Sequence, residues 1–404
     1  MSHNKITDSP TFCPMLWKSI TYSVSSHFSP CCDFDHDVDP FDKNFWSLGR
    51  QLNQYLLKEV RQASATGKRH KACQRCWDTE DGGGYSSRME AIQSEWWNRT
   101  DQTITDTDNH NPVFYDLKLS NVCNLGCRHC DPVSSSVLEN EVSKNPIEYK
   151  DNHMTVDVKF LQKLRPKMID SNIILDEIIN NQDVNTVKFT GGEPFLNRDI
   201  EKFIKLALKK GISQNLDLEF TSNLTLLPRW LITKKQYFRS LRIRASLETV
   251  GNPYTYLRWP FTWRKFQKNW KTLDSIKHIN SGFSLTLHAL SVFYAPETIK
   301  WLTSHQKQFD PCFVSNPEWL RVENLPKNIK DNIKQRLDRM ISSSTDHITI
   351  NGINFVLNEL EKPGDEEKFQ KLMIFEAKRD TLRSQKMLDF MPEFVHLTDN
   401  CLAL

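Results

Sequence analysis

At 404 residues the chain exceeds one small domain, and it has ample length for a buried core. Lys plus Arg number 53 against 50 Asp plus Glu, a formal charge of only +3, which excludes the global basic field of a dedicated nucleic-acid binder. No apolar run approaches membrane-spanning length, and the opening residues lack the basic start, apolar centre and small-residue cleavage site of a secretory signal, so no membrane role and a cytoplasmic location are expected. In that reducing compartment ten cysteines imply ligation of metal or cluster rather than a disulfide framework.

Eight of the ten fall within the first 130 residues. Cys13, Cys31, Cys32, Cys73 and Cys76 come first, and four of these five suffice for an iron–sulfur cube or for a structural zinc ion. Between them NFWSLGRQLNQYLLKEVRQA repeats Phe45, Leu48, Leu52, Tyr55, Leu56 and Val60 at helical spacing. The short basic run Lys68–Cys76 reads as a solvated face. A polar, aperiodic stretch from Thr100 to Pro112 reads as a linker, which predicts a small domain over 1–105, a larger one over 106–345 and a helical extension over 346–404.

Beyond the linker, strands and helices alternate. FYDLKLS precedes Cys123, Cys127 and Cys130, spaced C-x3-C-x2-C, with Asn124 and Gly126 allowing the chain to curl. A period of two marks Val187 and Phe189, then Leu216, Leu218 and Phe220, then Leu241, Ile243, Ala245 and Leu247, then Phe283, Leu285 and Leu287. NRDIEKFIKLALKKG predicts a helix capped by Asn197 and stopped at Gly211. Trp263, Phe266, Trp270 and Leu273 at helical spacing read as core.

Strands joined through helices imply a parallel α/β sheet. Parallel strands buried on both faces read as continuous aliphatic runs, so the alternation here predicts one polar face, carrying Lys188, Thr190, Glu219, Ser222, Arg242, Arg244, Ser246, Glu248 and His288. The tail from Gly364 predicts amphipathic helices with Phe369, Leu372, Met373 and Ala377 inward. Cys312 and Cys401 read as a buried small side chain and a tail thiol.

Three thiolates can hold three irons of a [4Fe-4S] cube and leave the fourth open, as catalytic metal sites leave a position open. CNLGCRHC (Cys123–Cys130) resembles the cluster loop of radical S-adenosylmethionine (SAM) enzymes, and FTGGEPFL (Phe189–Leu196) resembles the glycine-rich strand end of that family. The resemblance implies a partial parallel (β/α)6 barrel of the radical SAM type. It also implies that Cys123, Cys127 and Cys130 ligate the catalytic cluster, that SAM chelates the open iron, and that Gly191, Gly192, Glu193 and Pro194 cradle its methionyl part. His129 stands where the family places an aromatic near the adenine. TSNLT and SLE resemble later strand ends of the family, so Ser222, Asn223, Ser246 and Glu248 are expected at the ribose and ammonium groups, with Arg244 or Arg258 at the carboxylate.

The N-terminal cysteines resemble a twitch domain, a shortened SPASM domain that carries an auxiliary [4Fe-4S] cluster. Cys13, Cys31, Cys73 and Cys76 are the implied ligands, with Ser26 where the family has glycine and Cys32 as the alternative to Cys31. Glu80, Gly83 or Gly84, Ser87 and Arg88 resemble its trailing segment. The family implies reductive cleavage of SAM to a 5'-deoxyadenosyl radical, a peptide or protein substrate, and a one-electron donor such as a flavodoxin or ferredoxin. Radical modification of a nucleoside or small metabolite is the alternative, and a zinc-stapled module without catalysis is the reading from another class.

Overall fold

The computed structural model describes residues 6–24, 28–35, 55–105, 107, 110–146, 170–307, 309–344 and 346–394. Eight strands form one sheet: β1 Ser19–Tyr22, β2 Phe28–Ser29, β3 Phe114–Leu117, β4 Thr186–Phe189, β5 Asp217–Ser222, β6 Ser240–Leu247, β7 Ile279–Leu287 and β8 Phe309–Phe313. Their order is β2-β1-β3-β4-β5-β6-β7-β8. Pairing is parallel from β1 to β3, β3 to β4, β4 to β5 and β7 to β8, and only the short β2 runs antiparallel to β1 among the described registers. The sheet is open, with β2 and β8 at its ends. A mostly parallel α/β sheet followed by C-terminal helices is what the strand pattern predicted, and an open, unclosed barrel is what the resemblance implied.

Local sequence explains the crossovers. The helix Arg198–Lys210 begins where Asn197 accepts the Asp199 N–H and ends at Gly211, whose φ of +74° is left-handed. Acidic Asp199 and Glu201 in its first turn and Lys209 and Lys210 in its last match the helix dipole. Ile200, Phe203, Ile204 and Ala207 form its buried stripe. In the helix Trp263–Asp274, Phe266, Trp270 and Leu273 are buried, as core aromatics should be. No described helix is long and apolar enough to cross a membrane.

Contacts divide the chain into two compact units. The first comprises Met1–Asn121, Gln162–Phe220 and Arg229–Arg242; the second comprises Val122–Leu161, Thr221–Pro228 and Ile243–Leu404. Within the first, the N-terminal segment adds β1 and β2 to the sheet and packs Phe12, Leu16, Trp17, Trp96 and Trp97 with Val113 and Phe114. The described part of its helix is Tyr55–Ala65, with Leu57 and Val60 buried. Phe45, Leu48 and Leu52 and the side chains of Tyr55 and Leu56 lie outside the described residues, as do Ser26 and Cys401.

Asp217, at the start of β5, anchors this unit. Its buried carboxylate accepts from Arg239 Nε (2.8 Å) and Nη2 (2.5 Å), from Ser240 Oγ (2.9 Å) and from Arg99. Asp217→Ala takes from two partly buried guanidinium groups the carboxylate they share and leaves Arg239 only the exposed Glu95, so a loss of about 3 kcal/mol is expected. A urea titration checks it: the midpoint should fall while the slope stays unchanged.

In the second unit the tail forms the helices His347–Glu361 and Glu366–Arg383, the latter burying Phe369, Leu372 and Met373 as expected but leaving Ala377 exposed, because the buried face turns instead through Phe375, Glu376 and Arg379. Cys312 corrects its expectation. It lies exposed on β8, an edge strand that no further strand covers among the described residues.

Candidate functional site

The three-cysteine loop belongs to the second unit and is tied down on both sides. Ser136 Oγ accepts from the Cys123 N–H (3.1 Å) and Ser135 Oγ donates to the Leu125 carbonyl (2.7 Å). The Gly126 and Arg128 N–H groups donate to the carbonyls of Trp259 and Leu257, each at 2.8 Å. Asn223 Nδ2 donates to Asn124 Oδ1 (3.0 Å) and lies 3.8 Å from Cys123 Sγ, so the TSNLT strand end reaches the first cysteine.

Cys127 is buried, Cys123 and Cys130 are half-buried, and the three sulfurs sense one another's charge. Burial pushes the Cys127 thiol up to about 12, with Arg258 the main counterweight, and it raises Cys130 well above the ordinary range. Such thiols become ligands when a metal supplies positive charge. Three sulfurs on one curled loop, with Asn223 and the Leu125 N–H beside Cys123 Sγ, fit an iron–sulfur cluster.

Behind the loop the second unit buries a polar group. Glu248 is fully buried, and its Oε1 accepts from Arg258 Nη1 at 3.3 Å. Burial disfavours the Arg258 cation, but Glu248 and Cys127 more than offset it; burial likewise raises Glu248. His129 Nδ1 lies 3.3 Å from Glu248 Oε1 without hydrogen-bond geometry. Burial, then Arg258 and Arg379, push that imidazole down to about 3, so this approach is a contact of a neutral ring and not an ion pair. One face of His129 stacks on His288, with centroids 5.4 Å apart. Glu248 Oε2, His129 Nδ1 and both ring nitrogens of His288 are buried without a hydrogen-bond partner, a set of polar atoms suited to a polar ligand. Of the two candidate arginines, Arg258 stands beside Glu248 and donates to the Ser246 carbonyl (3.3 Å), whereas Arg244 Nη1 donates to Asn280 Oδ1 (3.4 Å).

The glycine pair belongs to the first unit. Gly191 has a φ of +99°, and a Cβ there would lie 3.1 Å from the Ser120 carbonyl and 3.2 Å from Lys118 Cα, so both conformation and space require glycine. The Gly192 N–H donates to the Ser120 carbonyl (3.1 Å). Glu193 is buried and its Oε1 accepts the Phe195 N–H (3.1 Å), capping the turn that Pro194 begins.

Also in the first unit, Cys13, Cys31, Cys73 and Cys76 line one pocket, floored by Trp77 and edged by Arg88. Cys32 is exposed and does not line it. Burial raises all four thiols of the pocket, Cys13 to about 12. The trailing segment encloses it: Arg88 forks onto Glu80 (Nε 2.9 Å, Nη2 2.6 Å) and donates to the Phe12 carbonyl (3.0 Å), while Ser87 Oγ bonds Asp33. Among the described residues no three Cys, His, Asp or Glu side chains converge to grip a single metal ion.

Residues 117–291 match the family described as the Radical SAM superfamily. Over this stretch the chain is similar to a radical SAM domain. The match contains the cysteine loop, the glycine turn and the Glu248–Arg258 pair. The chain is 28% identical over 179 residues to molybdenum cofactor biosynthesis protein 1 of Dictyostelium discoideum, covering 43% of this chain and 24% of the relative. It is 25% identical over 184 residues to a GTP 3',8-cyclase of Campylobacter lari, covering 44% and 47%. It thus spans about a quarter and about half of these curated relatives. Among solved structures, native anSMEcpe with bound AdoMet superposes with a TM-score of 0.40 at 15% identity, covering 57% of this chain and 59% of that one. Streptococcus suis SuiB bound to S-adenosylmethionine gives 0.36 at 13%, covering 57% and 48%.

Motif reading missed the residues that brace the cysteine loop. Arg128, between two expected ligands, is fully buried against Glu376 and Asp380, and Arg379 reaches the loop backbone. No local pattern could have revealed partners some 250 positions away.

Proposed function

We propose that the chain is a radical SAM enzyme whose catalytic [4Fe-4S] cluster is held by Cys123, Cys127 and Cys130. The observation that carries this is the three-thiol loop, buried and tied down, within the stretch that matches the Radical SAM superfamily. Held by these three thiols, a cluster of this type would supply the electron for reductive cleavage of SAM to methionine and a 5'-deoxyadenosyl radical able to take a hydrogen atom from a substrate. The chain's own residues supply placement and exclusion of water. Gly191, Gly192, Glu193 and Pro194 offer a rigid backbone turn for the methionyl ammonium. Asn223, Ser222, Ser246 and Glu248 offer amide, hydroxyl and carboxylate groups to the ribose and ammonium. Arg258 is better placed than Arg244 to balance charge beside Glu248. His129, neutral and stacked on His288, stands where the family places an aromatic near the adenine.

Cys13, Cys31, Cys73 and Cys76 hold an auxiliary [4Fe-4S] cluster in this reading. A single zinc ion with Zn–S bonds of about 2.3 Å would draw its sulfurs to about 3.8 Å of one another. The four cysteines here line one shared pocket, and it is their resemblance to a twitch domain that favours the cluster over that ion. Four cysteines close that cluster, which leaves it an electron-relay role with a flavodoxin or ferredoxin as donor.

The substrate we propose is a peptide or protein, on the ground that the layout with an auxiliary cluster resembles enzymes of that kind. A second reading, radical modification of a nucleoside or small metabolite, is favoured by the similarity to a GTP 3',8-cyclase. Mass spectrometry of reduced, SAM-loaded reactions with peptide pools and with nucleotides decides between them. A mass change confined to peptides supports the first, and one confined to nucleotides overturns it.

A further inference from the structure

The last long helix, Glu366–Arg383, carries charged side chains on its buried face, where an amphipathic helix carries apolar ones. Glu376, Arg379, Asp380 and Arg383 are all buried. Arg379 Nη1 donates to the carbonyl of Arg128 (2.8 Å) and Nη2 to the carbonyl of Cys127 (3.3 Å). Arg128 points the opposite way: Nη1 pairs with Glu376 (2.5 Å), Nη2 with Asp380 (2.6 Å) and Gln385 (2.8 Å), and its guanidinium lies 3.8 Å from the centre of the Tyr256 ring. Arg383 forks onto Glu141 (2.8 and 3.0 Å) and packs so near Gly126 that a Cβ there would sit 3.0 Å from its Nη2.

Buried ion networks return little net stability, because desolvation consumes most of the Coulomb gain, and an apolar face would hold the helix down as well. What guanidinium groups add is direction. Their hydrogen bonds end on the peptide carbonyls of a ligand cysteine and of its neighbour, and so fix the plane from which the Cys127 side chain projects. Groups that orient metal ligands from behind tune the metal as well as hold it.

We infer that helix Glu366–Arg383 is a clamp on the cysteine loop and that Arg379 is its positioning residue, setting the orientation of Cys127 and, through its charge, the reduction potential of the catalytic cluster. The second half rests on the cluster assignment proposed above; the first does not.

Hydrogen exchange on the full-length apoprotein tests the clamp. The Gly126 and Arg128 amides, bonded to Trp259 and Leu257, report loop opening. In Arg379→Gln they should exchange about tenfold faster, the cost of one lost hydrogen bond to a charged group, while amides of β3 to β5 keep their rates. After reconstitution, the EPR-monitored midpoint potential of the variant should move negative, because a positive charge that favours the reduced cluster has gone. Should Arg379→Gln fail to fold, Arg379→Lys keeps the charge and loses the fork, so it should exchange faster while holding its potential. Wild-type exchange and potential in the folded variants would overturn the proposal. Faster exchange in a protein whose wild type assembles no cube would retain the clamp and sink the cluster assignment instead.

Discussion

Cys127→Ala is expected to reduce 5'-deoxyadenosine formation to the level of cluster-free protein, a loss well beyond the roughly 10–100-fold that follows when a group merely supporting a metal ligand is changed. Cys127 is the most buried of the three loop thiols, with Arg258 as its main counter-charge and its own carbonyl held by Arg379. Removing one sulfur from a set of three leaves two ligands for a cube that, in the proposed reading, needs three. Cys123→Ala and Cys130→Ala should behave alike. Because the loop is also held by Ser135, Ser136 and the Trp259 and Leu257 carbonyls, the fold should survive the loss. Liquid chromatography with mass detection of 5'-deoxyadenosine, beside a thermal melt, checks both halves. A Cys127→Ala protein that still cleaves SAM would show that the catalytic loop has been misassigned.

The second large effect separates two adjacent cysteines. Cys31→Ala is expected to lower iron in the reconstituted protein from about eight to about four atoms per chain, whereas Cys32→Ala should leave it near about eight. Cys31 lines the pocket with Cys13, Cys73 and Cys76; Cys32 is exposed, and the charges it feels are those of Asp33, Lys188 and Asp116. The Cys31→Ala protein should still release 5'-deoxyadenosine, since its catalytic thiols belong to the other unit, while product formation stops. Iron and sulfide analysis on matched preparations reads the difference. Equal iron in the two variants would remove the auxiliary cluster, and zinc in its place would turn the N-terminal segment into a structural staple.

Elements governed by local chemistry are legible in the amino-acid sequence alone. The Asn197 cap and the Gly211 stop define a helix because each satisfies backbone groups within a few residues. The burial alternation of β6, residue by residue, follows the side-chain period of a strand and needs no knowledge of its neighbours. The C-x3-C-x2-C loop is legible for a similar reason, since its three thiols lie within eight residues, whereas Cys13, Cys31, Cys73 and Cys76 are brought to one pocket only by the fold. What the sequence hides depends on remote partners. SITY becomes β1 by pairing with β3 nearly a hundred residues later, and four residues carry too little period to announce a strand. Arg258 rather than Arg244 stands beside Glu248, a pairing made by a short turn of chain that folds it back over the strand end. The Arg128–Glu376 pair closes a separation of 248 positions, so the helix tail reads as mere packing when its buried face holds the cysteine loop. Cys312 is expected inside because cysteine usually is, but an edge strand has an outer side.

The central claim is that this chain splits SAM with a cluster on Cys123, Cys127 and Cys130. It is tested most directly by quantifying 5'-deoxyadenosine after anaerobic reconstitution with iron and sulfide, addition of SAM and reduction. The account predicts its release by the wild type and none by Cys127→Ala. A wild-type protein that takes up stoichiometric zinc, forms no iron–sulfur chromophore and leaves SAM intact would contradict it.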